Sequence, residues 1–269
     1  MADIEKMTEY YRQMGYSDRN ADARVCQDLV LKAISKSNFG KNITVKGGVV
    51  MRSITRDVRR ATEDIDLDFI RYSLEDNSIR RFVTRLNCLE SISIEIENDK
   101  IEGLSQQEYS GKRVYIIISD DTGHILKSKI DLGVHANMRI EQDTYCFDVC
   151  MDDEGASLLI NSCEQIFAEK LRSLLRFGPF STRYKDIFDF YYLKDHVEKK
   201  RLVECIQVYI FDESTMKEKN MDDIRRRISA TFNNRQFRTN LERSGDRNWL
   251  QMDIEEAFEA IVDFLDSIE

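Results

Sequence analysis

The apolar positions of the chain change period near its middle. Up to about residue 150, short runs with apolar residues at every second position alternate with helical stretches; beyond it, spacings of three and four dominate. Ile4, Met7, Tyr11 and Met14 predict a short amphipathic helix over 3–14. Ser17 is the expected N-cap of a second helix reaching about Ser35, with Val25, Leu29 and Ala33 on one stripe and Phe39-Gly40 closing it. Ile43 to Lys46 predicts a first strand, then a glycine turn and a helix to about Val58. Asp64 to Arg71 predicts a second strand, and 77–88 a helix whose stripe holds Phe82, Leu86 and Leu89. Three β-rich runs follow. Residues 91–98 alternate strictly and predict a half-exposed strand, whereas Val114, Ile116, Ile117 and Ile118 fit a buried central one. Residues 125–134 form the third, entered through a hairpin turn at Asp120-Asp121-Thr122-Gly123.

After Met151 the β character fades. A helix over 165–177 turns Phe167, Leu171, Leu174 and Leu175 inward, leaving Lys170 and Arg176 to other faces, and Gly178-Pro179 breaks it. Residues 182–197 continue helically with Ile187, Phe190 and Tyr191, and further helices are expected around 203–211, 221–232 and 254–268. Asp186 and Asp189 are i, i+3 neighbours; from periodicity alone, Lys185 and Asp189 read as a salt-bridged surface pair. The expected fold class is therefore α+β. Residues 1–150 would form a mixed sheet flanked by helices, and 151–269 a helical domain closing an active-site cleft.

One stretch carries chemistry: KGGVVMRSITRDVRRATEDIDLDF, from Lys46 to Phe69. Side chains at spacing two share one face of a strand, so Asp64 and Asp66 stand about 6.6 Å apart at Cα. Two such carboxylates repel unless a cation lies between them, and Mg²⁺ takes carboxylate oxygens while keeping positions for phosphates. Gly47 and Gly48 let backbone N–H groups approach a phosphate where a helix starts. Phosphate loop and metal carboxylates together indicate nucleotidyl or phosphoryl transfer. Taken singly, the glycine pair is also an ordinary turn and the Asp alternation an edge strand with one wet face. Asp131, in an apolar run, requires a partner: a salt bridge from Arg or Lys, or a metal.

The block Lys46-Gly47-Gly48, a short helix, then Arg60-Ala61-Thr62-Glu63-Asp64-Ile65-Asp66 resembles the nucleotidyltransferase core of the AbiEii/AbiGii toxin family, of the DNA polymerase β-like superfamily. A second block, Glu169-Lys170-Leu171 through Arg183-Tyr184-Lys185-Asp186-Ile187-Phe188-Asp189, resembles the family's downstream signature. The resemblance covers roughly 40–195. It implies a polymerase β-like core with a C-terminal helical domain, and Asp64, Asp66 and Asp131 as ligands of Mg²⁺ (or Mn²⁺). It makes Lys170 and Asp186 active-site residues. Lys46, Gly47, Gly48, Thr62, Lys170 and Arg176 become nucleotide-binding positions. The reaction it implies is transfer from an NTP to an acceptor, RNA and a tRNA 3′ end first, by the toxin of a toxin–antitoxin or abortive-infection pair with a cognate antitoxin. Val49 departs from the pattern, which often has a small hydroxyl residue there, so backbone donors would have to serve. The alternatives are a catalytically silent module that binds nucleotide or a partner protein, and a transferase acting on a protein or small molecule.

Composition narrows this further. The 269 residues, 42% hydrophobic and 33% charged with a single proline, describe a globular chain without a flexible linker. Six cysteines without a Cys-x-x-Cys pair, and three histidines, argue against structural zinc. No apolar run approaches the ~20 residues that span a bilayer, and MADIEKMTEY lacks a signal-peptide core, so a cytoplasmic protein is expected. The net charge is −9, yet 170–247 carries +6, with Arg225-Arg226-Arg227, Arg235 and Arg238 interleaved with Phe232 and Phe237. Such aromatics are able to stack on unpaired bases, and a basic face steers a polyanion. A solvated outer helix face is the other reading of the same charges.

Overall fold

The computed structural model describes residues 3–104, 111–150 and 152–268, and the chain forms two compact units, Met1–Asn161 and Ser162–Glu269. The first unit runs α1 (Ile4–Gln13), α2 (Asp18–Lys36), β1 (Ile43–Lys46), α3 (Gly47–Thr55), β2 (Ile65–Phe69), α4 (Asp76–Arg85), β3 (Ile92–Leu104), β4 (Gly111–Asp120), β5 (Ile125–Val134), β6 (Asp143–Val149) and β7 (Asp152–Ile160). The second runs α5 (Cys163–Phe177), α6 (Lys185–Leu193), α7 (Lys199–Ile206), α8 (Met221–Phe232), α9 (Arg235–Arg243) and α10 (Ile254–Asp266).

The seven strands form one sheet in the order β3-β4-β5-β2-β1-β7-β6. Its pairings are antiparallel except β1–β7 and β2–β5, which makes the sheet mixed. The parallel pairs set the middle of the sheet: β2 lies between β1 and β5 although some sixty residues separate it from β5. Along β2 the chain alternates by physical necessity. Ile65, Leu67 and Phe69 are fully buried on one face, where Phe69 meets Phe82 of α4 edge-on at 5.3 Å; the aspartates take the other face.

Several sequence expectations need correction. β6 and β7 follow β5, and β7 lies beyond the point where β character was expected to fade. Its period-two signal, Ala156, Leu158 and Ile160 inward, is hidden behind the acidic, glycine-containing Asp152-Asp153-Glu154-Gly155. β4 is not central; it alternates, with Val114, Ile116 and Ile118 buried and Ile117 half-buried. α2 shows no single stripe: every residue from Arg24 to Ile34 is buried. Its polar members find partners. Asp28 accepts from the Tyr11 hydroxyl and from Cys150 N–H (2.9 Å), burial pushes its carboxyl up, and Lys32 pairs with Asp152 at 2.7 Å. Ser17 occupies the N-cap without a side-chain bond, and Ser37 rather than Gly40 ends the helix. α3 stops at left-handed Arg56 (φ 53°), before Val58, and a 3-10 turn over Val58–Arg60 follows.

In the second unit, Ser162, Asn220, Asn234 and Asp253 each cap a helix with a side-chain oxygen. The sequence reading placed α8 at 221–232 but did not include α9; Asn233-Asn234 separates the two helices, and they share one aromatic core. Phe232 stacks on Phe258 at 4.1 Å and on Phe237 at 6.4 Å. Phe232 is 3% exposed and Phe237 1%, so neither is a surface platform for bases. Arg225 is likewise structural: it donates to Leu265 O and Ile268 O at the end of α10, as Arg238 does to Phe232 O (2.5 Å). No helix of the described residues is long and apolar enough to cross a membrane.

Candidate active site

Register brings the acidic residues together. Across the sheet, Lys46 pairs with Asp66, Asp66 with Asp131, Asp131 with Arg113, and Arg113 with Glu102. Residues paired this way project from the same face, so one row crosses five strands with cation, anion, anion, cation, anion in sequence. Two adjacent carboxylates in the middle of such a row repel, and the neighbouring cations offset that repulsion. Arg113 holds Asp131 in a two-pronged pair, Nε to Oδ1 and Nη2 to Oδ2, both 2.7 Å. That hydrogen-bonded carboxylate in turn raises the guanidinium's pKa. The salt bridge weighed for Asp131 is thus present. Asp64, two residues before Asp66, is half-buried, with Lys129 Nζ at 2.9 Å from its Oδ1. Asp68, the third of the alternating series, is paired with Lys46 Nζ at 2.6 Å.

The glycines lie against this row. Gly47, at φ +63°, has Asp66 so close that a β-carbon there would stand 2.5 Å from Oδ2. A β-carbon on Gly48 would collide with Thr62 Oγ1, and the Thr62 carbonyl accepts from Gln27 Nε2 at 2.7 Å. The start of α3 is therefore wedged between Asp66 and Thr62. Val49 is fully buried, so its side chain belongs to the core while the first-turn amides remain the donors. Gly47→Ala is expected to cost about 2–4 kcal/mol, from left-handed strain plus the collision. Gly15→Ala, at φ +94° with nothing within 4 Å of its β-carbon, is the control for strain alone. Chemical denaturation of both variants measures the difference; equal losses would mean that the approach to Asp66 is soft.

The second unit holds a buried polar cluster. Lys170, 5% exposed on α5, sits between Asp186 Oδ1 (2.5 Å) and Asp189 Oδ2 (2.9 Å) of α6. Asp186 also accepts from Arg183 Nε (2.6 Å), and Asp189 from the indole N–H of Trp249 (3.0 Å). Burial pushes the Asp186 carboxyl up, but Lys170 and Arg183 outweigh it and hold the group below the usual carboxylate range. The surface reading of Asp186 and Asp189 is corrected: they are 6% and 0% exposed. Arg176, in the last turn of α5, is exposed and donates to Thr215 Oγ1 at 2.8 Å. Sequence reasoning missed Arg113, Lys129, Asp189 and Trp249 as partners. Their only signal lies in pairing register and in helix packing, which a single sequence does not display.

No curated protein matches the chain. A family model does: nucleotidyl transferase AbiEii toxin, Type IV TA system, over residues 29–264. The chain belongs to the AbiEii nucleotidyl transferase toxin family. The matched span runs from within α2 to within α10, well past the two sequence blocks that carry the resemblance. AbiEii membership makes the protein a nucleotidyltransferase toxin of a Type IV toxin–antitoxin system, with a nucleotide substrate and an antitoxin as its partner.

AbiEii chemistry raises the question of a divalent metal. Among the described residues, no group of three or more His, Cys, Asp or Glu stands ready to hold one. The donor chemistry nevertheless fits: Asp66 and Asp131 offer hard carboxylate oxygens from neighbouring register positions, the type Mg²⁺ takes. Arg113 and Lys129 are the cations with which a metal would compete.

Proposed function

We propose that the chain transfers a nucleotidyl group from an NTP to an acceptor hydroxyl, RNA being the acceptor. The observation that carries this reading is the placement of Asp66: its carboxylate lies against Gly47 at the start of a helix and beside Asp131 in register. Metal carboxylates and phosphate-facing amides then meet within one turn of chain. Asp66, Asp131 and Asp64 would hold Mg²⁺, which when bound neutralises phosphate charge and lowers the pKa of the attacking hydroxyl. The amides of Gly47 and Gly48, with Lys46 and Thr62 beside them, orient the triphosphate. Arg113, released from Asp131, remains close enough to balance charge there. Lys170, oriented by Asp186, is assigned to the same transfer as a compact positive charge for the departing pyrophosphate, and Arg176 to the nucleotide. The chemistry asked of the residues is positioning and charge stabilisation.

The acceptor assignment rests on family and charge. With Phe232 and Phe237 in the core, the exposed phenylalanines among the described residues are Phe177 and Phe180, the latter 89% exposed. A polar groove lined by Thr182, Tyr184, Asn240, Arg243, Ser244 and Arg247 lies in the same unit. Purified protein incubated with each labelled NTP and total cellular RNA is expected to label RNA, with tRNA 3′ ends first. Reversing Arg226 (its side chain 77% exposed), Arg243 and Arg247 to Glu is expected to lower labelling at least tenfold and to flatten its salt dependence, leaving NTP binding unchanged. Arg225 is unsuitable for that test because it holds α10. Labelling of a protein or small molecule with every RNA untouched would overturn the acceptor and leave the transfer.

A second reading has its own support. Asp131 and Asp64 are each engaged by a cation, so a chain that binds nucleotide without transferring it would look the same at these positions. Bound but unconverted NTP in the labelling experiment is its signature.

A further inference from the structure

Phe180 is the most exposed large apolar side chain among the described residues, and Phe177 beside it is half exposed. A lone apolar residue on a surface needs no explanation, but this one is held out by a built turn. Gly178 ends α5 in the left-handed region (φ +50°), Pro179 fixes the next φ, and Ser181 N–H closes the turn on Gly178 O at 3.0 Å. Arg227 of α8 lies against Gly178, its Nη2 2.6 Å from where a β-carbon would stand, and its Nε donates to Leu175 O at 3.3 Å. The turn is pinned while its phenylalanine ring stays in water.

The same segment leads into the polar groove. Thr182 and Tyr184 line it from one side, and Asn240, Arg243, Ser244 and Arg247 from α9 and the turn after it. Two residues span at most about 7 Å, so Phe180 stands beside Thr182 at the rim, and the Gly178–Phe180 turn also packs on α9. Among the described residues no carboxylate lines the groove, whereas two guanidinium groups, two hydroxyls, a phenol and an amide do. Arg183, between the lining residues Thr182 and Tyr184, donates to Asp186, the partner of Lys170. The groove therefore adjoins the polar cluster of its own unit.

We propose that this groove grips an unpaired stretch of RNA, with backbone phosphates on Arg243 and Arg247 and a base stacked on Phe180. The inference rests on the RNA-acceptor reading for the source of the strand, and adds where the strand is held and in what state. Charge and ring together select the occupant. Guanidinium groups without a facing carboxylate suit a polyanion, and a rigid exposed ring suits a base whose face is free. A duplex keeps its bases inside, whereas a single strand presents phosphate and base side by side. The hydroxyls of Thr182 and Ser244 and the amide of Asn240 are groups that ribose hydroxyls can bond.

The test measures fluorescence anisotropy of the full chain, without NTP, against a labelled RNA strand of about twelve nucleotides and the same strand annealed to its complement. Wild type is expected to bind the single strand about tenfold or more tightly than the duplex. Phe180→Ala should weaken the single strand about 5- to 100-fold, the worth of one stacked base, with its salt slope and the unfolding midpoint unchanged. Arg243→Gln with Arg247→Gln should instead lower the salt slope by about 1.4, the counterions of two phosphates. Phe180→Trp should keep the affinity and lose indole emission on binding, because the chain's own tryptophan, Trp249, is buried on Asp189. A DNA strand of the same sequence should bind about threefold or more weakly, and parity would overturn RNA as the occupant. Equal binding of duplex and single strand, or an unchanged affinity in Phe180→Ala, would overturn the stacking site. If Phe180→Ala instead turns a dimer into a monomer by sedimentation and leaves RNA binding as it was, the ring is a contact between copies and the inference fails. If RNA binding depends on Phe180 while labelled NTP goes only to a protein or small molecule, the acceptor reading fails alone. If Phe180→Ala labels RNA with an unchanged KM for RNA, the groove assignment fails alone.

Discussion

Asp66→Asn is expected to lower nucleotide transfer by at least about a thousandfold while leaving the protein folded. The substitution keeps volume and removes one charge from a pair of register-adjacent carboxylates, so mutual repulsion with Asp131 falls. Thermal stability should therefore hold or rise as activity disappears. A role in folding would move both quantities down together. Asp68→Asn is the matched control: it belongs to the same alternating series, but it is buried, at 5% exposure, and tied to Lys46, so it should cost stability before activity. Incorporation of labelled NTP and the unfolding midpoint, measured on the same preparations, separate the two. Expression of Asp66→Asn should also be tolerated by cells in which the wild type arrests growth. Transfer surviving at more than a small fraction of wild type would end the assignment of Asp66.

The second large effect is expected at Lys170. Lys170→Met leaves Asp186 and Asp189 facing one another in the interior with one cation fewer, and breaking a buried pair in this way costs about 3–5 kcal/mol. Loss of activity in that variant alone would be ambiguous. Adding Asp189→Asn removes the like-charge clash, and the new amide oxygen still accepts from Trp249, while Asp186 retains Arg183. The double variant should recover much of the stability and none of the transfer. Recovery of both would make Lys170 a structural residue only. The acid limb offers a second check. Because the Asp186 carboxyl is held below its unfolded value of 3.8, its contribution is fully present above that pH and is lost as pH falls through the lower folded value. Removing Lys170 should shrink that loss, which acid titration of the unfolding free energy measures.

What the sequence made legible follows from how local the cause is. β1 and β5 were read to the residue at both ends, and β2 nearly so, because strand alternation and glycine punctuation act within a few residues. The grouping of Gly47 with Asp66 and of Gly48 with Thr62 was anticipated in kind, since one short helix joins them. β6 and β7 escaped because their apolar sides are short and β7 opens on acidic residues. Arg113 and Lys129 escaped as partners because pairing register joins distant segments, and no spacing rule within one strand announces it. Asp189 was assigned to the surface because helical periodicity places it beside Lys185. What buries it instead is the lysine of α5 and the tryptophan of the turn before α10. The basic, aromatic α8–α9 stretch misled for the same reason, its phenylalanines being claimed by α10.

The two parallel pairings have a consequence in time as well as in space. β2 cannot meet β5, nor β1 meet β7, until the intervening chain has been made, so the row through Asp66 and Asp131 is absent from any shorter nascent chain. The Lys170 cluster closes later still, since Trp249 follows Asp189 by 60 residues. Non-local closures of this kind are slow, and domains on a ribosome fold in the order in which they emerge. A nascent chain that stops before β5 therefore lacks the paired carboxylates, and one that stops before Trp249 lacks the closed Lys170 cluster.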